Sequence, residues 1–157
     1  MNESVITHYI TSAFGDVHVA DTWGDSFFYY NPDSSQPDEV YFATLKSGDD
    51  DYDNQSTLNR PGVFRLNMGL SKPTYESLFG AAPSRHNAQS MEETGNYDYA
   101  AFDQLLPHPV YAHMNWVCIL NPSAETFRTL QPLLEDAYAL AVSRVAKQQA
   151  RSGKKEG

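Results

Sequence analysis

The sequence predicts an α+β fold in which an antiparallel sheet of about five strands packs against an N-terminal and a C-terminal helix. Apolar residues recur at helical spacing near both ends of the chain, and five short strand-like runs lie between them. Turn residues separate the first runs so closely that hairpins, not crossover units, are expected to join them. Helices segregated from strands in this way belong on one sheet face.

Val5, Ile6, Tyr9, Ile10, Ala13 and Phe14 form the apolar stripe of the first helix, and Gly15 is placed to end it. Strands Val17–Thr22 and Ser26–Tyr30 follow around a Gly24-Asp25 turn, and Val40–Leu45 makes a third. Asn31-Pro32-Asp33 opens the polar connection to Glu39, and Lys46 to Arg60 is a second polar loop. Val63–Met68 then reads as a strand, and Ser71 caps a short helix through Phe79, with Pro73 in its first turn and Gly80 closing it. Ala81–Asn96 is poor in apolar residues and is expected to be a surface loop, and Tyr99–Leu106 a short helix stopped by Pro107. Trp116–Leu120 is the last strand. Asn121-Pro122-Ser123 starts a helix with the stripe Phe127, Leu130, Leu134, Tyr138, Ala141 and Val145. Pro132 cannot keep a helix-interior hydrogen bond, so it should kink that helix or start a second one.

At 157 residues, with 41% apolar and 13% aromatic side chains, the chain is expected to fold as one domain over 1–146, followed by a basic, disordered tail over 147–157. No apolar run approaches the ~20 residues of a membrane span, and no secretory pattern opens the chain. Cys118 is the single cysteine, so no internal disulfide can form, which fits a cytoplasmic protein. Residues 1–59 carry eleven acids against Lys46 alone, a net of −10, whereas residues 60–157 are close to neutral at +1. Such an acidic face repels a phosphate backbone, so nucleic acid is not an expected partner. The basic residues Lys147, Arg151, Lys154 and Lys155 suit a solvated helix end.

Three segments stand out together: Arg60-Pro61-Gly62-Val63-Phe64-Arg65-Leu66-Asn67, Pro107-His108-Pro109-Val110-Tyr111-Ala112, and Trp116-Val117-Cys118-Ile119-Leu120-Asn121-Pro122-Ser123. With them the chain resembles, over nearly its whole length, a bacterial family of similar size known only as a domain of unknown function, which implies no activity. The last third is more distantly similar to the MmcQ/YjbR-like group, through Trp116 at a strand start and Glu135-Asp136-Ala137-Tyr138-Ala139-Leu140-Ala141-Val142 in the helix, with Ala137 where that group has Ser. That likeness implies a compact α-β-α fold of the kind compared with frataxin-like and DNA-binding modules.

Groups able to bind a ligand or move a proton concentrate in the proline-framed stretch 107–116. His108 or His113 suits a general acid or base, because an unperturbed imidazole titrates near neutrality. Alternation would put His113, Asn115 and Val117 on one face, so that His113 and Asn115 either share a polar pocket or face solvent. Arg65 and Asn67 share one face of their strand while Phe64, Leu66 and Met68 point to the core. Arg65 either clamps an anionic group with its planar fork or pairs with an Asp or Glu on a neighbouring strand. Tyr111 and Trp116 offer stacking surface.

Metal and cofactor chemistry find no support. His108, His113 and Cys118 lack a recognised ligand spacing, and His86 lies apart in a loop. Asp49, Asp51 and Asp53 alternate like a calcium loop, but Asn54 and Arg60 stand where that loop needs glycine and a bidentate glutamate. Cys118 reads as a buried, inert thiol in an apolar strand. No phosphate loop, dinucleotide fingerprint or nucleophile elbow is present, so no cofactor is expected.

Two functions follow. The first is a small-molecule-binding protein, either a plain binder or a cofactor-independent enzyme, with His108 and His113 handling protons, Arg65 anchoring an anion, and Asn67, Tyr111, Asn115 and Trp116 completing the pocket. The second is a non-catalytic module whose acidic face, residues 16–53, docks a basic partner.

Overall fold

The computed structural model describes residues 1–84 and 97–156 of the chain. Helix α1 spans Glu3–Ala13, and Asn2 caps it by accepting the Val5 amide at 2.9 Å. Strands β1 (Val17–Thr22), β2 (Asp25–Tyr30), β3 (Tyr41–Lys46) and β4 (Arg65–Gly69) follow, then α2 (Lys72–Phe79). Strand β5 (Leu106–Pro107), a 3-10 turn (Ala112–Met114), β6 (Trp116–Leu120) and the long α3 (Ala124–Glu156) complete the order. The strands make one antiparallel sheet in the order β1-β2-β3-β4-β6-β5, so the α+β expectation holds with six strands instead of about five.

The β1–β2 hairpin turns on Trp23 and Gly24, both at positive φ, the geometry of a two-residue turn whose twist matches the strands. Helices cover one sheet face. Ile6 and Ile10 of α1, Tyr75 of α2, and Phe127, Leu130, Leu134, Ala137 and Ala141 of α3 bury against Phe28, Leu45, Leu66, Met68, Val117 and Ile119. Alternation along each strand therefore sends Arg65, Asn67, Trp116 and Cys118 to the opposite face.

Three sequence expectations change. The helix expected at Tyr99–Leu106 is absent: Phe102 forms an isolated bridge to Leu120, and Leu106–Pro107 pairs with β6 as the sixth strand. An edge strand tolerates Pro107, whose missing N–H has no ladder to serve on the outer side. Pro132 neither ends nor divides α3, because the apolar stripe on both sides of it packs on the sheet and offsets one lost backbone bond. The helix also continues through 147–156, where a disordered tail is expected. Of the expected surface loop 81–96, residues 85–96, His86 among them, lie outside the described residues. Among the described residues no helix is long and apolar enough to cross a membrane.

Candidate functional site

The sheet face away from the helices carries a pocket of about 330 Å³, walled by the 47–64 loop on one side and the 107–115 segment on the other. Aromatic rings of Phe27, Tyr41, Tyr111 and Trp116, with Met114, line its walls; Thr44, Lys46, Asn67 and His108 form the floor, and Asp25, Asp50 and Asp53 bring carboxylates to it.

Arg65 lies at the centre of this face and is fully buried beneath the floor. Its Nη1 donates to Asp53 Oδ1 and to Ser56 Oγ, both at 2.9 Å, its Nη2 to Asp53 Oδ2, and its Nε to Asn67 Oδ1 at 2.7 Å. The guanidinium is thus held by the protein's own groups. Of the two roles open to it in the sequence, pairing with a carboxylate is the one realised, and the partner comes from a loop instead of a strand. Burial opposes the charge most, but the hydrogen bonds to Asp53 together with the surrounding negative groups outweigh it and raise the Arg65 pKa. An anion in the pocket meets no free face of this arginine. Asn67 does line the floor, its Nδ2 donating to Thr44 Oγ1 at 2.9 Å.

His108 reaches the same floor because its backbone amide still pairs with the Trp116 carbonyl, at 2.9 Å, beyond the end of β5. Its Nδ1 accepts two backbone N–H groups, those of Val110 and Tyr111, each at 3.0 Å. A nitrogen that accepts cannot carry the proton, so the neutral ring bears it on Nε2. That Nε2 sits 3.2 Å from Arg65 Nη2 and 3.7 Å from Asp53 Oδ2. Burial first, then the charges of Arg65 and Lys46, hold the His108 pKa well below the ordinary imidazole value. His108 is therefore a fixed, neutral ring. Its Nδ1 lone pair is engaged by two amides and its pKa is lowered, so the geometry does not favour the acid-base role expected of it.

His113 stands outside the pocket lining, in the 3-10 turn, with a buried Nδ1 that has no hydrogen-bond partner among the described residues. Asn115 adopts a left-handed conformation (φ 69°) that closes this turn, and its carbonyl accepts the Leu70 amide at 3.1 Å. Strand alternation starts only at Trp116, so the expected sharing of a face by His113 and Asn115 does not arise. The structure brings Arg65, Asn67, His108, Tyr111 and Trp116 together and leaves His113 and Asn115 aside.

Sequence reasoning missed the other half of the site. Lys46 pairs with Asp50 at 2.7 Å and Asp25 at 3.4 Å, and these carboxylates raise its pKa despite burial, so the amine stays protonated and unsuited to Schiff-base chemistry. Asp49 and Asp50 shape the loop: Asp49 Oδ1 accepts the Leu58 amide and Asp50 Oδ1 the amides of Tyr52 and Asp53. Leu58 and Val63 bury with Leu120 to anchor the loop. The signal available in sequence was Arg65 itself, since an arginine flanked by core positions on a strand requires a carboxylate from elsewhere.

Cys118 is buried and its thiol pKa is pushed up to about 12 by that burial, which leaves no thiolate for chemistry. Among the described residues no group of three or more His, Cys, Asp or Glu side chains is arranged to hold a metal ion.

The three segments singled out in the sequence meet here. Asn121 Nδ2 donates to the Gly62 carbonyl at 2.8 Å and its Oδ1 accepts the Phe64 amide at 3.1 Å, joining the third segment to the first. Arg65 and His108 bring the first beside the second, their side chains 3.2 Å apart. No curated protein and no solved structure matches the chain. A family model does, over residues 1–150, and the chain belongs to that family, a family of unknown function (DUF6194).

Proposed function

We propose that the protein binds a small organic molecule in the pocket on the open face of its sheet. The observation that carries this reading is the pairing of an aromatic wall with a polar floor whose hydrogen bonds are already fixed by the protein. Pockets of a few hundred Å³ with mostly apolar walls and a few oriented polar groups are the usual form of small-molecule sites. Trp116 supplies the largest flat surface and Thr44, Asn67 and Tyr111 the polar contacts, while Arg65 and His108 act as positioning residues beneath them. Proton transfer by His108 or His113 forms no part of the reading. A thermal-shift screen of metabolites, repeated with Trp116→Ala, tests it: ligands should raise the Tm of the wild-type chain and not that of the variant. A screen in which every hit stabilises both proteins equally refutes it.

A second reading has one specific observation in its favour. Trp23 is 97% exposed at the tip of the β1–β2 hairpin, flanked by Asp21 and Asp25 in the acidic part of the chain. An exposed tryptophan among carboxylates suits docking of a basic partner protein. Binding of a Lys/Arg-rich peptide that weakens with salt and with Trp23→Ala would support it, and binding insensitive to both would dismiss it.

A further inference from the structure

We infer that the pocket's occupant is a small aromatic monocation, a protonated arylalkyl amine. The inference rests on the small-molecule reading above and assigns its ligand a charge and a shape.

Charge balance is the first argument. Asp25, Asp50 and Asp53 reach the pocket, and two cations answer them, Lys46 and the underlying Arg65. Both cations are committed. Arg65 grips both oxygens of Asp53, and Lys46 Nζ lies closest to Asp50, at 2.7 Å, with Asp25 at the longer 3.4 Å. The neutral His108 adds nothing. One carboxylate's worth of negative charge is left over, and Asp25 has the weakest counter-charge. Its carboxyl is accordingly held above the ordinary range, by burial that the Lys46 contact does not fully offset. Among the described residues no free cation lines the pocket to receive an incoming anion against this surplus. An incoming ammonium would complete the balance in a site where low dielectric strengthens the attraction.

Shape and surface give the second argument, independent of the first. Tyr41 stands between Trp116, with ring centroids 5.7 Å apart, and Phe27, at 5.2 Å and an interplanar angle of 85°. Rings set at these angles present both π faces and edges, and the faces attract a cation while accepting a flat apolar ring. A cavity of about 330 Å³ accommodates one ring with a short ammonium arm. Beyond the pocket, the −10 net charge of residues 1–59 would steer cations toward this half of the molecule.

Three probes that share a phenylethyl group test the assignment: 2-phenylethylammonium, 3-phenylpropionate and 3-phenylpropanamide, titrated calorimetrically at low salt. Trp23→Phe leaves Trp116 as the sole tryptophan, so its fluorescence reports occupancy in parallel. The ammonium should bind at least tenfold more tightly than the carboxylate, with the amide between them. Asp25→Asn should cost the ammonium at least fivefold in affinity and leave the amide unchanged; Lys46→Met should favour the ammonium further. Equal or tighter binding of the carboxylate, or no response of the ammonium to Asp25→Asn, overturns the assignment. If the ammonium fails to bind while some other molecule binds through Trp116, the charge assignment falls and the pocket reading stands. If nothing binds through Trp116, both fall.

Discussion

Arg65 holds both carboxylate oxygens of Asp53 from a fully buried position at the centre of the sheet, and this contact ties the middle of the 47–64 loop to the open face. Breaking one half of such a pair leaves the other charged and buried, at a cost of about 3–5 kcal/mol. Asp53→Ala should therefore lower unfolding stability by that order in a urea titration. The double variant Arg65→Leu with Asp53→Leu should lose clearly less than the two single losses added, because no orphaned charge remains. Additive losses would mean that the pair is not coupled.

Gly69 and Trp116 face each other across β4 and β6, and the indole lies over the glycine. A Cβ at position 69 would stand 2.7 Å from Trp116 Cε2, so Gly69→Ala must push the ring away. The expected cost is about 1–3 kcal/mol of stability from overpacking. With Trp23→Phe as background, the emission of Trp116 should shift to the red as the ring leaves its packed position. An unchanged spectrum would show that the ring is not seated on the glycine.

The order of elements was legible in the sequence because periodicity and turn residues act locally. Each strand of the hairpin region, β4, α2 and β6 fall within a residue or two of the expected spans. What escaped was decided by distant partners. Nothing local in Leu106-Pro107 announces a strand; Cys118 and Val117 of β6 make it one. Pro132 starts no second helix, the helix running through it while its apolar stripe packs on the sheet on both sides. In the site, Arg65, Asn67, His108, Tyr111 and Trp116 were legible as chemistry-bearing side chains next to a strand. Their roles were not, since Asp53 and the amides of Val110 and Tyr111, which determine them, can be assigned only in three dimensions.

His108 gives stability an acid-side dependence of unusual sign for histidine. Its pKa in the folded chain lies well below the ordinary value of about 6.5, which the unfolded chain retains. Below that pH the unfolded state binds a proton that the folded state refuses, so stability falls as pH falls. The slope approaches ~1.4 kcal/mol per pH unit for one proton and levels off only below the folded pKa. His108→Asn keeps an acceptor for the amides of Val110 and Tyr111 but does not titrate. The stability difference between wild type and this variant should therefore narrow steadily, to the disadvantage of the wild type, as pH is lowered from 7 toward 5. A constant difference over that range would mean that His108 takes up its proton at the same pH in the folded and the unfolded chain.

Asp136 supplies the start of α2 with a cap that its own sequence does not provide. Ser71 is the N-cap residue, but its hydroxyl makes no bond to the helix backbone. Instead Asp136 of α3 accepts the Ser71 amide at 2.8 Å, the Ser71 hydroxyl at 2.8 Å and the Thr74 hydroxyl at 2.9 Å. A carboxylate at that end also meets the positive pole of the helix dipole. The arrangement binds two helices 65 residues apart in sequence, so its loss should loosen α2 without dissolving the sheet. Asp136→Ala should lower stability by about 1–3 kcal/mol, and amide exchange should quicken in 72–79 far more than in β3 or β4. Asp136→Asn keeps an acceptor oxygen but gives up the charge, so it should recover part of the loss. Uniform acceleration across the sheet would instead mark Asp136 as a support of the whole fold.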